Sequence, residues 1–332
     1  MTEPLRIGLL GAARITPKAV VKPAMDRDDV VLKAVAARDE EKARAFAAAH
    51  GVERHTTYDA LIEADDVDLV YNALPVSEHA PMTIRALEAG KHVLCEKPFA
   101  MNLAEAESVL AAAKASDRRV VEAFHHRYHP AFETYLSWIA DDRIGPVKKV
   151  RSVFTVPIPD KDGEIRYRPE LGGGAMRDLG CYALAWAIAV FGEAPERVTA
   201  RATTAPSGVD DAMRVELVFP SGGEAELNCD MRPETVRMAA IFAEGERGQA
   251  GFVNPVAPHQ GAALSWHAQG EAGTAPIAEG TTYDHQLAAL VDALRSGAPL
   301  PTEGQAILDQ QRALDAAYQS AGLGALLNAG AA

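Results

Sequence analysis

The chain has 332 residues, of which 48% are hydrophobic and 24% are charged, so it can bury an ordinary globular core and has room for roughly two domains. Its formal net charge of -13 and isoelectric point near 5.3 argue against binding to nucleic acid or to an anionic membrane, both of which attract a basic surface. The composition therefore favours a small-molecule partner.

Export and membrane insertion are not indicated. The three cysteines, Cys95, Cys181 and Cys229, have no CxxC spacing, so we predict neither a disulfide framework nor a zinc site and expect a reducing, cytoplasmic location. The first six residues lack the basic start and apolar run of a signal peptide. The longest apolar stretch, Cys181 to Phe191, is shorter than the roughly 20 residues that cross a bilayer, so no membrane span is predicted.

In the first part of the chain, short apolar runs alternate with amphipathic segments rich in Ala, Glu, Lys and Arg, a pattern typical of βαβ units. Continuous apolar runs are typical of parallel strands buried on both faces. We therefore predict a doubly wound α/β Rossmann domain over residues 1–124. The predicted strands are Arg6–Leu10, Val30–Ala36, Leu69–Ala73, His92–Cys95 and Val120–Ala123, and the predicted helices are Asp39–His50, His79–Ala89 and Leu103–Ser116.

The residue pattern changes after Pro130, where strand-like segments are separated by Gly, Pro and Ser clusters. This pattern predicts an α+β domain with an open, mainly antiparallel sheet over residues 125–332, and leaves open whether the last helices pack back on the first domain. The predicted strands are Val147–Val156, Arg197–Thr203, Met213–Phe219, Glu224–Cys229 and Val236–Phe242; the predicted helices are Pro130 to about Ile139, Met176–Phe191, Asp284–Ser296 and Gly304–Gly322; the predicted loops are Pro157–Glu170 and Asn254–Gly280, with a frayed tail at Ala325–Ala332.

The first predicted strand runs into a tight turn that opens a helix, where backbone N–H groups can meet a pyrophosphate. Alanine and threonine replace the second and third glycines of G-x-G-x-x-G at Ala13 and Thr16, so an ordinary βα turn is the alternative. The residues predicted to bind the dinucleotide here are Gly11, Ala12, Ala13, Arg14 and Ile15.

Two later strand ends are also expected to face the cofactor. The small Ala37 followed by Arg38 favours the 2′-phosphate of NADP over NAD, although charges at a helix start are often merely solvated. Leu74, Pro75 and His79 follow another strand at the edge where ligands bind in parallel sheets. For His79, a helix residue without ligand contact is an equal alternative.

A lysine between an acidic residue and a proline, Glu96-Lys97-Pro98, follows the predicted strand His92–Cys95. This segment resembles the Glu-Lys-Pro motif of the glucose-fructose oxidoreductase, inositol dehydrogenase and MocA (Gfo/Idh/MocA) family. Other segments resemble family motifs in the same order, at 11–15, 122–130 and 172–182, and the similarity extends from Arg6 to about Gly322.

The resemblance implies that Lys97 lies beside the nicotinamide and the reacting carbinol, with Glu96 also at the cofactor. Oxidising a secondary alcohol needs a base for the hydroxyl proton, and a tyrosine serves better when an ammonium stabilises its phenolate. Lys97 and Tyr182 are therefore the expected acid–base pair. Asp178 lies four residues before Tyr182, so both would share one helix face and point into one cleft, and Asp178 is the third expected catalytic residue. A tyrosine that merely packs in a buried helix is the alternative.

Relatives similar to inositol dehydrogenase have a histidine at the position of Tyr182, so this chain resembles more closely the glucose-fructose oxidoreductase and dimeric dihydrodiol dehydrogenase branch. The resemblance implies substrate or nicotinamide contacts for Arg127 and His129. Arg166 is expected to read sugar hydroxyls, with a solvated loop as the alternative. The histidines at 125, 126 and 129 lack an accompanying carboxylate or cysteine pattern, so no metal site is predicted.

The sequence thus predicts an NAD(P)-dependent oxidoreductase that moves a hydride between nicotinamide, with NADP favoured, and a secondary hydroxyl or carbonyl of a sugar, polyol or dihydrodiol. One alternative is an enzyme of the same fold that keeps its dinucleotide bound and uses transient oxidation for elimination or glycoside cleavage. Another is a non-catalytic dinucleotide-binding regulator. The resemblance implies that the open sheet of the second domain serves contacts between copies of the chain, in a homodimer or homotetramer.

Overall fold

The structure, a computed structural model, describes residues 3–330 and divides the chain into two compact units. The first unit holds the chain up to Phe124 together with Tyr283–Leu308, and the second holds His125–Thr282 and the chain from Asp309 onward. No helix among the described residues has both the length and the apolar character that crossing a membrane requires. Parts of the predictions for the N-terminal segment and the tail fall on residues 1, 2, 331 and 332, which lie outside the described residues.

The first unit is built on one parallel sheet. Strands β1 to β6 lie at Leu5–Leu10, Val30–Ala36, Arg54–Thr56, Leu69–Asn72, His92–Cys95 and Val120–Glu122. Their order in the sheet is β3-β2-β1-β4-β5-β6. Leu9 and Leu10 of β1 belong to different apolar clusters, as expected when both faces of a sheet are buried. The predicted Rossmann fold is confirmed, with the short polar strand β3 as an addition to the prediction.

Helices cover this sheet. They are α1 to α5, at Lys22–Met25, Glu40–His50, Tyr58–Glu63, His79–Glu88 and Leu103–Ser116, and a π-helical turn at Pro17–Val21 leads directly into α1. The carboxylate of Asp39 caps α2 by accepting the N–H groups of Glu41 and Lys42 at 3.0 and 3.3 Å. Gly51 ends α2 with a φ of 66°, a conformation that costs glycine little.

The second unit is built on an eight-stranded sheet. Strands β7 to β14 lie at Val147–Thr155, Arg197–Thr204, Asp210–Val218, Glu224–Asp230, Met238–Gly245, Gly248–Val253, Ala263–Ala268 and Glu271–Thr274. Their order is β14-β13-β12-β11-β7-β10-β9-β8, and every neighbouring pair is antiparallel except β7 and β10. The predicted α+β class of this part of the chain is confirmed.

One face of this sheet is buried and the other is charged. In β9, Met213, Val215 and Leu217 are buried, whereas the intervening Arg214 and Glu216 are exposed. Helices α6 to α9 lie at Pro130–Ala140, Cys181–Phe191, Thr282–Ser296 and Gln305–Ser320; the part of α8 after Thr282 and the start of α9 belong to the first unit. The indole of Trp186 in α7 is fully buried and stacks on the ring of Phe154 in β7, with ring centres 6.0 Å apart. This stack fixes α7 against the sheet.

Three predictions about local structure were wrong. The segment 254–280 is not a single loop, because it contains β13 and β14, whose small and polar residues give no apolar run. The predicted helix from Met176 is π-helical over Met176–Gly180 and becomes α-helical only at Cys181. In the predicted frayed tail, Gly324–Asn328 form a 3-10 helix that buries Leu327.

All three cysteines are buried thiols that form no disulfide. Cys95 lies in β5, Cys181 begins α7 and Cys229 lies in β10. Burial raises the pKa of the thiols of Cys95 and Cys229, because the thiolate is poorly solvated in an apolar interior.

Candidate active site

The turn after β1, where the dinucleotide is predicted to bind, is tight. Gly11 has a φ of 98°, and a Cβ there would lie 3.1 Å from the carbonyl oxygen of Ala73. The hydroxyl of Thr16 donates to the carbonyl of Gly11 at 3.2 Å, so the threonine that replaces a glycine stabilises the turn. Of the other predicted residues, Ala12 is buried, Ala13 and Ile15 are half-buried, and Arg14 is exposed.

The segment after β2 presents an arginine to solvent. Ala37 is half-buried and Arg38 is exposed. A hydrogen bond from the backbone of Arg38 reaches the hydroxyl of Tyr58, whose pKa is raised chiefly by burial. The carboxylate of Asp39 caps α2. The neighbouring guanidinium of Arg38 takes no part in that cap.

His79 lies in the first turn of α4, and its ring faces protein atoms. Its Nδ1 lies 2.9 Å from the carbonyl oxygen of Pro98, and its Nε2 lies 2.9 Å from that of Leu74. Burial lowers the pKa of His79 to about 4, so the neutral ring has one N–H to donate to these two carbonyls. Leu74 and Pro75 are both half-buried. His79 therefore links the segment after β4 to the segment after β5.

Glu96 and Lys97 leave β5 at the carboxyl edge of the parallel sheet. Glu96 is buried and accepts a 2.7 Å hydrogen bond from the hydroxyl of Tyr71 in β4. Its other carboxylate oxygen accepts the backbone N–H of Lys97 at 3.3 Å. The side chain of Glu96 thus fixes the backbone that carries the half-buried Lys97.

A second buried carboxyl, Glu122, lies at the end of β6 opposite Cys95. Burial raises the pKa of Glu122 to about 8, and nearby Glu96 adds to the rise while Lys97 opposes it. One oxygen of Glu122 is buried with no hydrogen-bond partner among the described residues. Glu122 appears in the sequence motif, but nothing in that pattern predicts its raised pKa.

In the second unit, Arg166 is fixed between two carboxylates. Its Nε donates to Asp178 at 2.6 Å and its Nη1 donates to Glu164 at 2.9 Å. The pKa of Arg166 is raised, first by the charge of Asp178. Arg166 and Asp178, both predicted site residues, are therefore in direct contact, and Glu164 is a partner that sequence reasoning missed.

Tyr182 lies near the start of α7, with its hydroxyl 3.0 Å from Nε2 of His125. His125 in turn lies 2.7 Å from the hydroxyl of Thr282. The ring of Phe154 packs edge-on against Tyr182 with ring centres 5.4 Å apart. Tyr182 therefore packs in a buried helix and lies within hydrogen-bond distance of a histidine.

Arg127 and His129 lie on either side of Tyr128 in the segment that precedes α6. The guanidinium of Arg127 lies 5.4 Å from the ring centre of Phe132, and burial lowers the pKa of Arg127. Its Nη1 is buried without a hydrogen-bond partner in residues 3–330. His129 is fully buried, and its Nδ1 accepts the N–H of Ala131 at the start of α6. Within those same residues, no group of three or more His, Cys, Asp or Glu side chains could hold a metal ion.

The glycine run before Asp178 is required by close packing. A Cβ at Gly173 would lie 2.5 Å from the carbonyl oxygen of Arg166. Gly174 has a φ of 129°, and its Cβ would collide with the carboxylate of Asp210. These two positions bring the chain back beside Arg166 at the point where the π-helical turn begins.

The predicted site residues are divided between the two units. The first unit contains the predicted cofactor residues and Lys97, at the carboxyl ends of β1, β2, β4 and β5; the second contains Arg127, His129, Arg166, Asp178 and Tyr182. Within the second unit, Arg166 contacts Asp178, while Tyr182 contacts His125.

Comparison with known proteins identifies the family. The profile described as an oxidoreductase family with an NAD-binding Rossmann fold matches residues 5–124, and the GFO/IDH/MocA C-terminal domain matches residues 132–251. The NADP(+)-dependent D-xylose 1-dehydrogenase 2 of Haloferax volcanii is 33% identical over 324 residues, which cover 97% of this chain and 98% of that protein. The trans-1,2-dihydrobenzene-1,2-diol dehydrogenase of Xenopus laevis is 35% identical over 240 residues, covering 70% of this chain and 71% of that protein.

Solved structures agree with this assignment. The aldose-aldose oxidoreductase of Caulobacter crescentus, crystallised with glycerol, has a TM-score of 0.88 and 27% identity over 97% of this chain and 98% of that one. The chain belongs to the Gfo/Idh/MocA family of oxidoreductases. It is an NAD(P)-dependent enzyme acting on CH–OH groups, which confirms the predicted family, enzyme class and cofactor.

Proposed function

We propose that this enzyme prefers NADP and interconverts a secondary hydroxyl and a carbonyl on a sugar, polyol or dihydrodiol, with Lys97 and Tyr182 as its acid–base pair. The relatives named above act on an aldose or a dihydrodiol according to their names, which supports this substrate class.

The observation that carries the proposal is the position of Lys97. Strands β1, β4 and β5 are neighbours in the parallel sheet, so Gly11, Leu74 and Lys97 all follow carboxyl ends at one edge. Dinucleotides bind at this edge in Rossmann domains. Tyr71 bonds to Glu96, and Glu96 holds the lysine's backbone at this edge, which is where the nicotinamide is expected.

The first unit also supports the preference for NADP. Gly11 turns the chain tightly at the end of β1 with a φ of 98°, which suits the close approach of a pyrophosphate to the backbone. Arg38 is exposed beyond β2, where its charge can bind a 2′-phosphate, and Ala37 leaves room for that group. An acidic residue that would bind a ribose 2′-hydroxyl is replaced here by this Ala37-Arg38 pair.

Lys97 and Tyr182 supply complementary proton chemistry. When bound, the nicotinamide accepts or returns the hydride at the reacting carbon. Tyr182 accepts the hydroxyl proton in the oxidising direction and returns it in the reducing direction. The ammonium of Lys97 stabilises the negative charge that develops on the phenolate or on the substrate oxygen.

Four residues of the second unit are assigned to substrate binding beside Tyr182, namely Arg127, His129, Arg166 and Asp178. The ion pair with Arg166 fixes the Asp178 carboxylate, which accepts a hydrogen bond from a substrate hydroxyl. The buried Nη1 of Arg127 can donate to a substrate oxygen, which would satisfy a group that otherwise lacks a partner in the described chain. His129 accepts the N–H of Ala131 and so fixes the start of α6 beside the proposed substrate site.

We also propose a homodimer or homotetramer built through the outer face of the eight-stranded sheet. That face carries ion pairs such as Lys149–Glu226 and Arg151–Glu244, together with the partly exposed Phe242. Such a mixed surface suits an interface with polar and apolar contacts.

The test is the formation of reduced nicotinamide from NADP⁺ and NAD⁺ with a panel of aldoses, polyols and trans-dihydrodiols. Lys97→Met and Tyr182→Phe are expected to lose at least 100-fold in kcat while still binding dinucleotide, because each removes one acid–base partner. Variants that keep the wild-type rate contradict the assignment of the pair. Tightly held dinucleotide with no net reduction by any substrate would instead favour elimination through transient oxidation.

The cofactor preference has its own test. Arg38→Ala should reduce kcat/KM for NADP⁺ roughly 10- to 100-fold and leave that for NAD⁺ nearly unchanged, since charged hydrogen bonds are worth about 1.5–3 kcal/mol. Arg237→Ala, which removes an exposed arginine of the second unit, is the control and should change neither value. Equal losses with both dinucleotides contradict the role of Arg38.

A further inference from the structure

A chain of hydrogen bonds inside the second unit begins at the hydroxyl of Tyr182. It runs 3.0 Å to Nε2 of His125, then 2.7 Å from Nδ1 of that ring to the hydroxyl of Thr282. The Thr282 hydroxyl lies 3.4 Å from the carbonyl oxygen of Val256. His125, Thr282 and Tyr182 are all buried, with exposed fractions of 3%, 0% and 6%.

The direction of these hydrogen bonds follows from their last acceptor. The carbonyl of Val256 can only accept, so Thr282 donates to it and its oxygen accepts the proton on Nδ1 of His125. A neutral imidazole carries one N–H, so Nε2 is left with a lone pair that faces Tyr182. His125 is therefore poised to accept a proton from the tyrosine.

A second histidine near Tyr182, His126, is a weaker candidate for that proton. The ring of His126 lies 5.6 Å from that of Tyr182, and burial holds the pKa of His126 well below its ordinary value. The nearby rings of Phe154 and Trp186 are apolar, and Arg127 follows the two histidines as a cation. Protonation of His126 is opposed by burial and by its charged neighbours, whereas His125 has a hydrogen-bond partner for each nitrogen.

We propose that His125 and Thr282 form a proton relay behind Tyr182. The inference rests on the proposed function, and it assigns a positioning and proton-accepting role to two residues outside the predicted acid–base pair. In alcohol oxidation, the carbinol O–H bond breaks and its proton passes to the oxygen of Tyr182, while the proton of Tyr182 passes to Nε2 of His125. The hydride and its two electrons leave the carbinol carbon for NADP⁺, and a carbonyl forms.

The relay also explains how the proton can be held in a buried site. The imidazolium that forms has two N–H groups, and both have acceptors: Tyr182 at Nε2 and Thr282 at Nδ1. A buried cation is tolerated when its donors are satisfied in this way. In carbonyl reduction the same proton returns through Tyr182 to the substrate oxygen.

The first test separates proton transfer from simple packing. His125→Gln retains a polar side chain beside Tyr182 but cannot take up a proton, and His125→Ala opens a space that free imidazole can enter. Both variants are expected to lose roughly 10- to 100-fold in kcat with little change in KM. Added imidazole should restore much of the rate of His125→Ala and none of that of His125→Gln. A rate for His125→Gln equal to wild type would overturn the relay.

Thr282 provides a matched pair of variants. Thr282→Ser keeps the hydroxyl and should retain the rate, whereas the nearly isosteric Thr282→Val removes the acceptor for Nδ1 and should lower kcat several-fold. Thermal unfolding and dinucleotide affinity, measured on the same proteins, identify any variant that has lost its fold. Equal kcat values for folded Thr282→Ser and Thr282→Val would contradict the relay.

The tautomer of His125 gives a readout that does not depend on turnover. Nitrogen-15 NMR of the wild-type protein, with His125→Gln used to assign the signal, should show a proton on Nδ1 and a bare Nε2. A ring protonated on Nε2 would overturn the relay whatever the activity. If the wild type turns over no substrate, the proposed function fails, and the tautomer alone then decides whether the hydrogen-bond arrangement is as proposed.

Discussion

The hydroxyl of Tyr318 donates a 2.8 Å hydrogen bond to Oδ1 of Asp210, and the other oxygen of that carboxylate accepts the N–H of Met176 at 2.6 Å. Asp210 is fully buried, and burial raises its pKa to about 6. The pair fixes the start of the π-helical turn that carries Asp178. The position of a predicted site residue thus depends on a carboxylate that lies 32 residues further along the chain.

The fold is predicted to tolerate no side chain at Gly174, beside Asp210 and Tyr318. In Gly174→Ala, the Cβ would collide with Asp210 and lie 2.7 Å from the hydroxyl of Tyr318, at a φ of 129°. We expect a loss of about 2 kcal/mol or more in the free energy of unfolding, from steric overlap and backbone strain. Urea denaturation measures it.

Gly192→Ala is the matched control, because Gly192 also has a positive φ, of 69°, but its Cβ would meet no atom within 4 Å. It should lose only about 1 kcal/mol, the cost of the left-handed conformation. Equal losses of unfolding free energy at the two glycines would show that the contact with Asp210 and Tyr318 adds no further destabilisation.

Glu122 should make stability depend on pH. Its pKa is raised by burial from 4.5 to about 8, so between these values the folded chain keeps a proton that the unfolded chain releases. The resulting stabilisation relative to Glu122→Gln is complete below about pH 4.5 and is lost as the pH rises towards 8. Wild type should lose up to about 1.36 kcal/mol per pH unit more than Glu122→Gln in this window.

Unfolding by urea at pH 5 to 9 tests this expectation. Glu88→Gln, which alters an exposed glutamate of the same unit, should keep the wild-type slope. Parallel profiles for wild type and Glu122→Gln would mean that Glu122 titrates as an ordinary carboxyl.

The ion pair between Arg166 and Asp178 should be sensitive to geometry as well as to charge. Arg166→Lys keeps the cation but loses the fork that reaches Asp178 and Glu164 together, so Asp178 should be less well oriented. We expect kcat/KM to fall about 10-fold, since small displacements of positioned groups are costly.

Arg168→Lys is the control for this change. Arg168 pairs with Glu170, and both side chains are about half exposed, so the pair should contribute little. Steady-state kinetics on the preferred substrate compares the two variants. If both retain the wild-type kcat/KM, Asp178 needs no support from Arg166.

The sequence predicts most of the Rossmann domain because its strands are buried on both faces. Strands β2 and β5 and helix α5 begin and end where predicted, since continuous apolar runs and clear caps mark them. Strand β3 is polar and short, and β13 and β14 have few apolar residues, so their pairing with neighbours decides their structure.

The contacts within the candidate site were less accessible to sequence reasoning. A pattern predicts Tyr182, but the hydrogen-bonded chain behind it passes through Thr282, which is 157 residues beyond His125. The acidic partner of Arg166 at Glu164 has a similarly weak signal, because charged residues at this spacing are common on solvated loops. Side-chain contacts across long sequence separations arise only once the chain has folded.

The buried thiols have a practical consequence. Cys95 lies inside the first unit, whereas Cys181 and Cys229 lie inside the second. A thiol-reactive dye can reach each sulfur only when the surrounding structure opens, so the order in which the three cysteines become labelled reports which unit opens first. The rate at which the cysteines of each unit are labelled therefore measures how often that unit opens.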